Sequence, residues 1–232
     1  MVEGEGGGDA RETDDVAGVA RAAEDAEGVE APDGELDEEV DPRADPDATA
    51  DPPLEVAELA AACVRFVASR YQAPLDFTPD TLSLLDHWLR DARAEVTARP
   101  EAAVIVQSAA GAYLGEVVRR QFGARWVSGG EPQEWRLCLS TVYCAFNPLG
   151  MAREALLLEP AEAWHAHLEL DAGERDAVEA RLEALPEAED EEYYAPSTRF
   201  DILWIVVDAL RASMRARGLD DVRFSPDDYP LA

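Results

Sequence analysis

From Leu54 onward, apolar residues recur at three- and four-residue spacing. Val56, Leu59, Ala60, Cys63, Val67 and Tyr71 form one stripe and predict a helix over residues 54–71. A second helix is predicted to open at Thr78-Pro79-Asp80, a cap residue followed by proline at the first helical position. It carries Leu82, Leu85, Leu89, Ala92 and Val96 and stops at Pro100. A third helix is predicted over residues 100–123. The period then changes. Residues 124–128 and 134–146, separated by GGEPQ, are rich in Trp, Val, Leu, Tyr and Phe. They alternate Trp135, Leu137, Leu139, Thr141 and Tyr143 on one face, the pattern of an antiparallel hairpin. Asn147-Pro148-Leu149-Gly150 signals a turn, and residues 151–158 fit a short helix or a further strand equally well. Residues 160–185 read as helical, with Asp171 as a cap, ahead of Pro186 and an acidic run at 187–192 expected to be a solvated loop. The last helix has Thr198-x-x-Asp201 in the manner of a capping box, an apolar body, and Gly218 at its C-terminal stop. Helices on both sides of a small sheet predict an α+β fold, a mostly helical domain around a small antiparallel β-sheet.

One stretch of the third helix departs from the pattern. AAGAYLGEVVRRQFGARW, residues 109–126, places Gly111, Gly115 and Gly123 in or at the edge of a helix. The spacing is not GxGxxG, the chain has no lysine, and the glycines lie inside a helix rather than before one, so the stretch is not a phosphate cradle. Gly111 and Gly115 are four apart and share a face, and each costs about 0.8–1.0 kcal/mol relative to alanine in a helix interior. The expectation is close approach of another element to that bare face, with Gly123 as the C-terminal cap. On the opposite rim, Glu116 precedes Arg119 and Arg120, and Arg125-Trp126 follows the turn. Two readings of Arg119, Arg120, Arg125 and Trp126 stay open: they hold an anionic ligand, or they balance neighbouring carboxylates.

Composition narrows the partners. The 232 residues carry a net charge of −30, and all 20 basic residues are arginine, a bias that fits a GC-rich bacterial genome. Without lysine, Schiff-base and P-loop chemistry are excluded. Such an acidic chain is repelled by phosphate backbones and anionic lipid, so the expected partner is a basic protein, with no nucleic acid and no membrane. The opening MVEGEGGG lacks the basic and apolar regions of a signal peptide, which reads as cytoplasmic. Residues 1–53 hold 19 Asp+Glu against three Arg and no aromatic residue. That segment is expected to be a disordered acidic tail ahead of a single domain at 54–232, because it cannot bury enough apolar surface to offset ordering.

Few groups offer chemistry. Cys63, Cys138 and Cys144 are odd in number and lack CxxC spacing, which argues against a disulfide framework and a zinc site. On one shared strand, Cys138 and Cys144 would lie about 20 Å apart. His165 and His167 could chelate on a strand but not on the helix predicted there. His87 beside Trp88 reads as a helix-face residue. No metal and no cofactor are expected, and the carboxylates are too numerous to single out a catalytic pair.

The order Gly111-x-x-Leu114-Gly115-Glu116, then Gly123-x-x-Trp126, then strands closing at Asn147-Pro148 resembles a pattern in uncharacterised bacterial domain families of unknown function. The resemblance covers residues 109–153 and implies a helix-plus-sheet fold. Two functional expectations follow from the whole sequence. The first is a non-enzymatic interaction or regulatory protein, antidote-like, that covers a basic partner through complementary charge. The second is a hydrolase or transferase whose acidic active site is scattered in sequence. If the acidic tail is only a solvated arm, deleting residues 1–53 leaves the thermal melting midpoint nearly unchanged. A loss of several degrees would show that it packs on the domain.

Overall fold

The protein is described here from a computed structural model, which describes residues 51–186 and 188–229. Of residues 1–53, expected to form a disordered tail, 1–50 lie outside the described residues, while Asp51, Pro52 and Pro53 line a cavity with Arg119 and Trp126. The fold is α+β: helices pack with a four-stranded antiparallel sheet whose strands lie side by side in chain order. Helix α1 is Leu54–Tyr71, and Val56, Ala60, Cys63 and Val67 of the apolar stripe are buried, with Leu59 and Tyr71 half-buried at its border. Helix α2, Leu82–Ala98, is entered through a 3₁₀ turn at Pro79–Thr81. Thr78 does not cap it, because the Thr78 hydroxyl donates instead to Asp76 at 2.6 Å.

Helix α3, Ala102–Phe122, is the centre of the fold. Every residue from Gln107 to Arg119 is buried, the signature of a helix packed on all sides rather than on one stripe. Gly123, with φ of 72°, stops it and returns its N–H to the Arg119 carbonyl at 3.0 Å. The chain turns directly into β1, Ala124–Val127, which pairs with β2, Arg136–Leu139, in the register Trp126 to Leu137.

The 134–146 stretch is not one strand. The ladder breaks at Ser140, and Cys144–Phe146 returns as β3 with Cys138 opposite Ala145. Thr141 and Tyr143 therefore lie in the connection, off the alternation that Leu137 and Leu139 obey. The two cysteines lie on neighbouring strands and opposite faces. Cys144 joins the main core, and Cys138 joins a small cluster with Ala145 and Tyr229. Both are free thiols.

After β3 the chain enters helix α4, Pro148–Leu157, which resolves the ambiguity at 151–158. Asn147 is its N-cap. Its side-chain oxygen accepts from the Leu149 N–H at 2.9 Å, and its amide nitrogen donates to the carbonyls of Pro132 and Gln133 at 2.9 and 3.1 Å. One fully buried side chain thus ties the start of α4 to the β1–β2 connection.

The predicted helix over 160–185 is broken. A 3₁₀ turn at Glu162–Trp164 ends on His165 with φ of 48°, strand β4 follows at Glu169–Leu170, and helix α5 spans only Arg175–Leu182. Asp171 does not cap α5; its carboxylate accepts from the Gly173 N–H at 2.8 Å in a local turn. Part of the acidic run forms the short helix α6, Asp190–Tyr193, while Glu187 lies outside the described residues. Helix α7, Pro196–Ala216, starts two residues before Thr198, so the expected capping box lies inside the helix. Its N-terminus is served from α2: Asp86 accepts the Ser197 N–H at 3.1 Å and also the Ser197 hydroxyl. Burial pushes the Asp86 carboxyl above its ordinary range.

The C-terminal segment covers the outer face of the sheet. Phe224 N–H bonds to the Ser140 carbonyl at 2.8 Å. The buried Tyr229 hydroxyl donates to the Leu139 carbonyl at 2.7 Å and accepts from the Cys144 N–H at 3.1 Å. Tyr229→Phe leaves that buried N–H without its acceptor. The expected loss is about 1–3 kcal/mol in urea unfolding, against almost none if water replaces the hydroxyl.

Candidate functional site

The α3–β1 corner gathers the glycines and most of the arginines singled out in the sequence. At Gly111 a Cβ would collide with the Leu149 Cα and stand 2.7 Å from its nitrogen and 2.8 Å from the Pro148 carbonyl, so the backbone of α4 crosses directly over the bare position. At Gly115 a Cβ would strike the Trp126 ring. The two glycines receive two different elements, a helix start and a strand side chain.

Beside them Glu116 is buried and accepts three kinds of donor. Arg119 approaches with Nε at 3.0 Å and a terminal nitrogen at 2.9 Å, and the Trp126 indole N–H donates at 2.9 Å. Arg120 stands farther off at 3.9 Å, half exposed, with its guanidinium 4.0 Å from the centroid of the Phe77 ring. Arg119 is therefore no rim residue. It is 5% exposed and fixed by the fork geometry that suits arginine to a carboxylate.

Arg119, Arg125 and Trp126 line one cavity of about 360 Å³ with Asp51, Pro52 and Pro53, and Arg120 lies apart from it. The structure thus joins three of the four residues. It gives Arg119 and Trp126 a common buried carboxylate, which is the charge-balancing arrangement.

The other groups have local partners. His87 lies 4.0 Å from Asp91, which also accepts from the Tyr71 hydroxyl at 2.8 Å and from Arg70 at 3.2 Å. These hydrogen bonds, Tyr71's foremost, hold the Asp91 carboxyl below its ordinary range. His165 and His167 leave the helix assigned to them, and their rings stand 6.4 Å apart. His165 Nδ1 is 3.3 Å from Glu169. No group of three or more metal-binding side chains assembles among the described residues. Burial pushes the Cys138 thiol up to about 12 and raises Cys63 and Cys144 as well, so all three are held away from the nucleophilic thiolate at neutral pH. A cavity of about 280 Å³ holds two carboxylates, Asp171 and Glu174. Asp171 serves its own turn and Glu174 is paired with Arg217.

One surface feature escaped the sequence reading. Trp204 on α7 is 49% exposed. Its ring centroid lies 5.3 Å from that of the buried Phe122 and 6.4 Å from that of Phe200, so the ring is braced from below. Asp201 and Asp208, three residues before and four after, share its helical face and are exposed. The signal was a tryptophan out of phase with the buried positions Leu203, Val206, Val207 and Leu210. The strongly apolar run hid it.

No family model, curated protein or solved structure matches the chain. No helix among the described residues is long and apolar enough to cross a membrane.

The close approach at Gly111 sets a direct test. Gly111→Ala gains about 1 kcal/mol of helix propensity. It also forces the α4 backbone away, at a cost of about 1–3 kcal/mol. Net destabilisation of at least about 1 kcal/mol is expected in chemical unfolding; a more stable variant would show that α4 can withdraw freely.

Proposed function

We propose that the chain is a non-enzymatic binding protein, regulatory or antidote-like, whose target is a basic protein. The observation that carries this reading is the outer face of α7, where a braced, half-exposed tryptophan stands between two exposed carboxylates. Large rigid aromatics at the centre of a contact supply most of its energy, and a charged rim supplies selection and rate. Residues 54–232 carry 31 Asp+Glu against 17 Arg, so the wider surface repels acidic competitors and attracts a basic one. Two arginines are withdrawn from that surface by pairing: Arg119 with Glu116 and Arg199 with Glu154. The internal use of cations supports an acidic exterior. Action in the cytoplasm belongs to the same proposal.

Affinity capture on the full chain at low and high salt tests it, with Trp204→Ala and the pair Asp201→Asn/Asp208→Asn run alongside. A basic protein retained at low salt should be released at high salt, and it should be lost from the tryptophan variant. The aspartate variant should retain it more weakly and with less salt dependence. Equal retention by all three chains, or no salt-dependent retention by the wild type, overturns the reading.

A further inference from the structure

A second cavity, of about 410 Å³, lies between β4, α5 and α7. Its size falls within the range of small-molecule sites, roughly 300–1,000 Å³. Its walls include the buried Met151 and Val178 and the half-buried Ile202, with His167, Arg175 and Glu179 exposed at its edge. Arg199 lines it too, and the Arg199 side chain is only 10% exposed.

The guanidinium of Arg199 is incompletely satisfied. One terminal nitrogen donates to Glu154 and the other to the Tyr193 hydroxyl at 3.1 Å, whose ring lies 4.3 Å from the charge. Its Nε is buried and has no hydrogen-bond partner. Native proteins rarely leave such a donor unmet, and an arginine fork offers its edge readily to a carboxylate. Arg175, exposed on the same lining, adds a second guanidinium to the cavity's edge. Of the carboxylates around the cavity, Glu169 is engaged by Arg136 and His165, both at 3.3 Å. Glu179 at the edge opposes an incoming anion, and so does Glu154, already paired with Arg199.

We infer that this cavity binds a small monocarboxylate with an apolar body, its carboxylate accepting from the Arg199 Nε–H and its body against Met151, Val178 and Ile202. An acceptor there would meet the buried donor, Arg175 adds an exposed cation to the same lining, and apolar walls exclude the fully hydrated small anions. The site is separate from the Trp204 face, and its occupation does not depend on a protein partner.

Calorimetric titration of the full chain with hexanoate, hexylamine and hexanol tests the assignment. Hexanoate should bind saturably, hexanol more weakly, and hexylamine not at all. Arg175→Gln should weaken hexanoate about threefold and Glu179→Gln should tighten it by a similar factor, the scale of an exposed charge pair. Both residues are exposed and bear no core contact, so circular dichroism of both variants should match the wild type. Absence of saturable hexanoate binding, equal affinity for hexylamine, or an affinity that neither variant moves would overturn the proposal.

Discussion

A helix buried on every side has to make room for neighbours closer than an ordinary helix surface allows, and α3 meets that constraint by omitting side chains where they approach. Gly111 admits the backbone of α4, and Gly115 admits the ring of Trp126. The direct turn at Gly123 then delivers β1 alongside the helix it has just left. Asn147 fixes the same α4 start to the β1–β2 connection. The sheet, α4 and the central helix are therefore positioned by one short run of contacts, and the propensity lost at two glycines is offset by the packing they permit.

The same corner explains the arginine density of the sequence. A buried Trp126 needs an acceptor for its indole N–H, and a strand end beside a helix offers few. Glu116 supplies the acceptor, and its own burial as an anion requires a cation held in register three residues on. Arg119 answers with two nitrogens. Removing any one member leaves a buried group with a lost partner, so the set is best understood as one structural unit. Of the three arginines that looked like a ligand clamp along the chain, Arg119 is consumed in making the aromatic contact possible.

What was legible in the sequence follows from where each cause resides. The α1 stripe, the α2 core positions and the Gly123 stop are written in local spacing and came out accordingly. The break of residues 134–146 into two strands was not, because the connection carries Thr141, Val142 and Tyr143, residue types that favour strands and continue the alternation. The stretch at 160–185 misled for a related reason: its alanines and glutamates favour a helix, while Asn147 N–H claims the His165 carbonyl and β3 claims β4. Thr198 looked like a cap, yet the cap of α7 is Asp86, 111 residues away in the chain. Of the corner residues, the sequence displayed the types but not the partners. Trp204 stayed hidden because its exposure depends on which face of α7 meets Phe122.

Helices α3 and α7 have equal length and opposite employment. Both span 21 residues. Inside α3, Glu116 and Arg119 are committed to each other, Tyr113 to Thr81 and the Phe77 N–H, and Gln107 to Arg153 through its oxygen alone. On α7 only one face is in the core, and its remaining surface carries both Trp204 and the residues that reach the second cavity. Holding its N-terminus from α2 fixes that surface relative to the core without using any of it. An aromatic braced by Phe122 loses little conformational freedom when it is covered, and an arginine already held by Glu154 and Tyr193 loses little when a ligand arrives. On the proposed reading, prior ordering by the core, more than the number of charges outside, would let a helix face this small discriminate between partners.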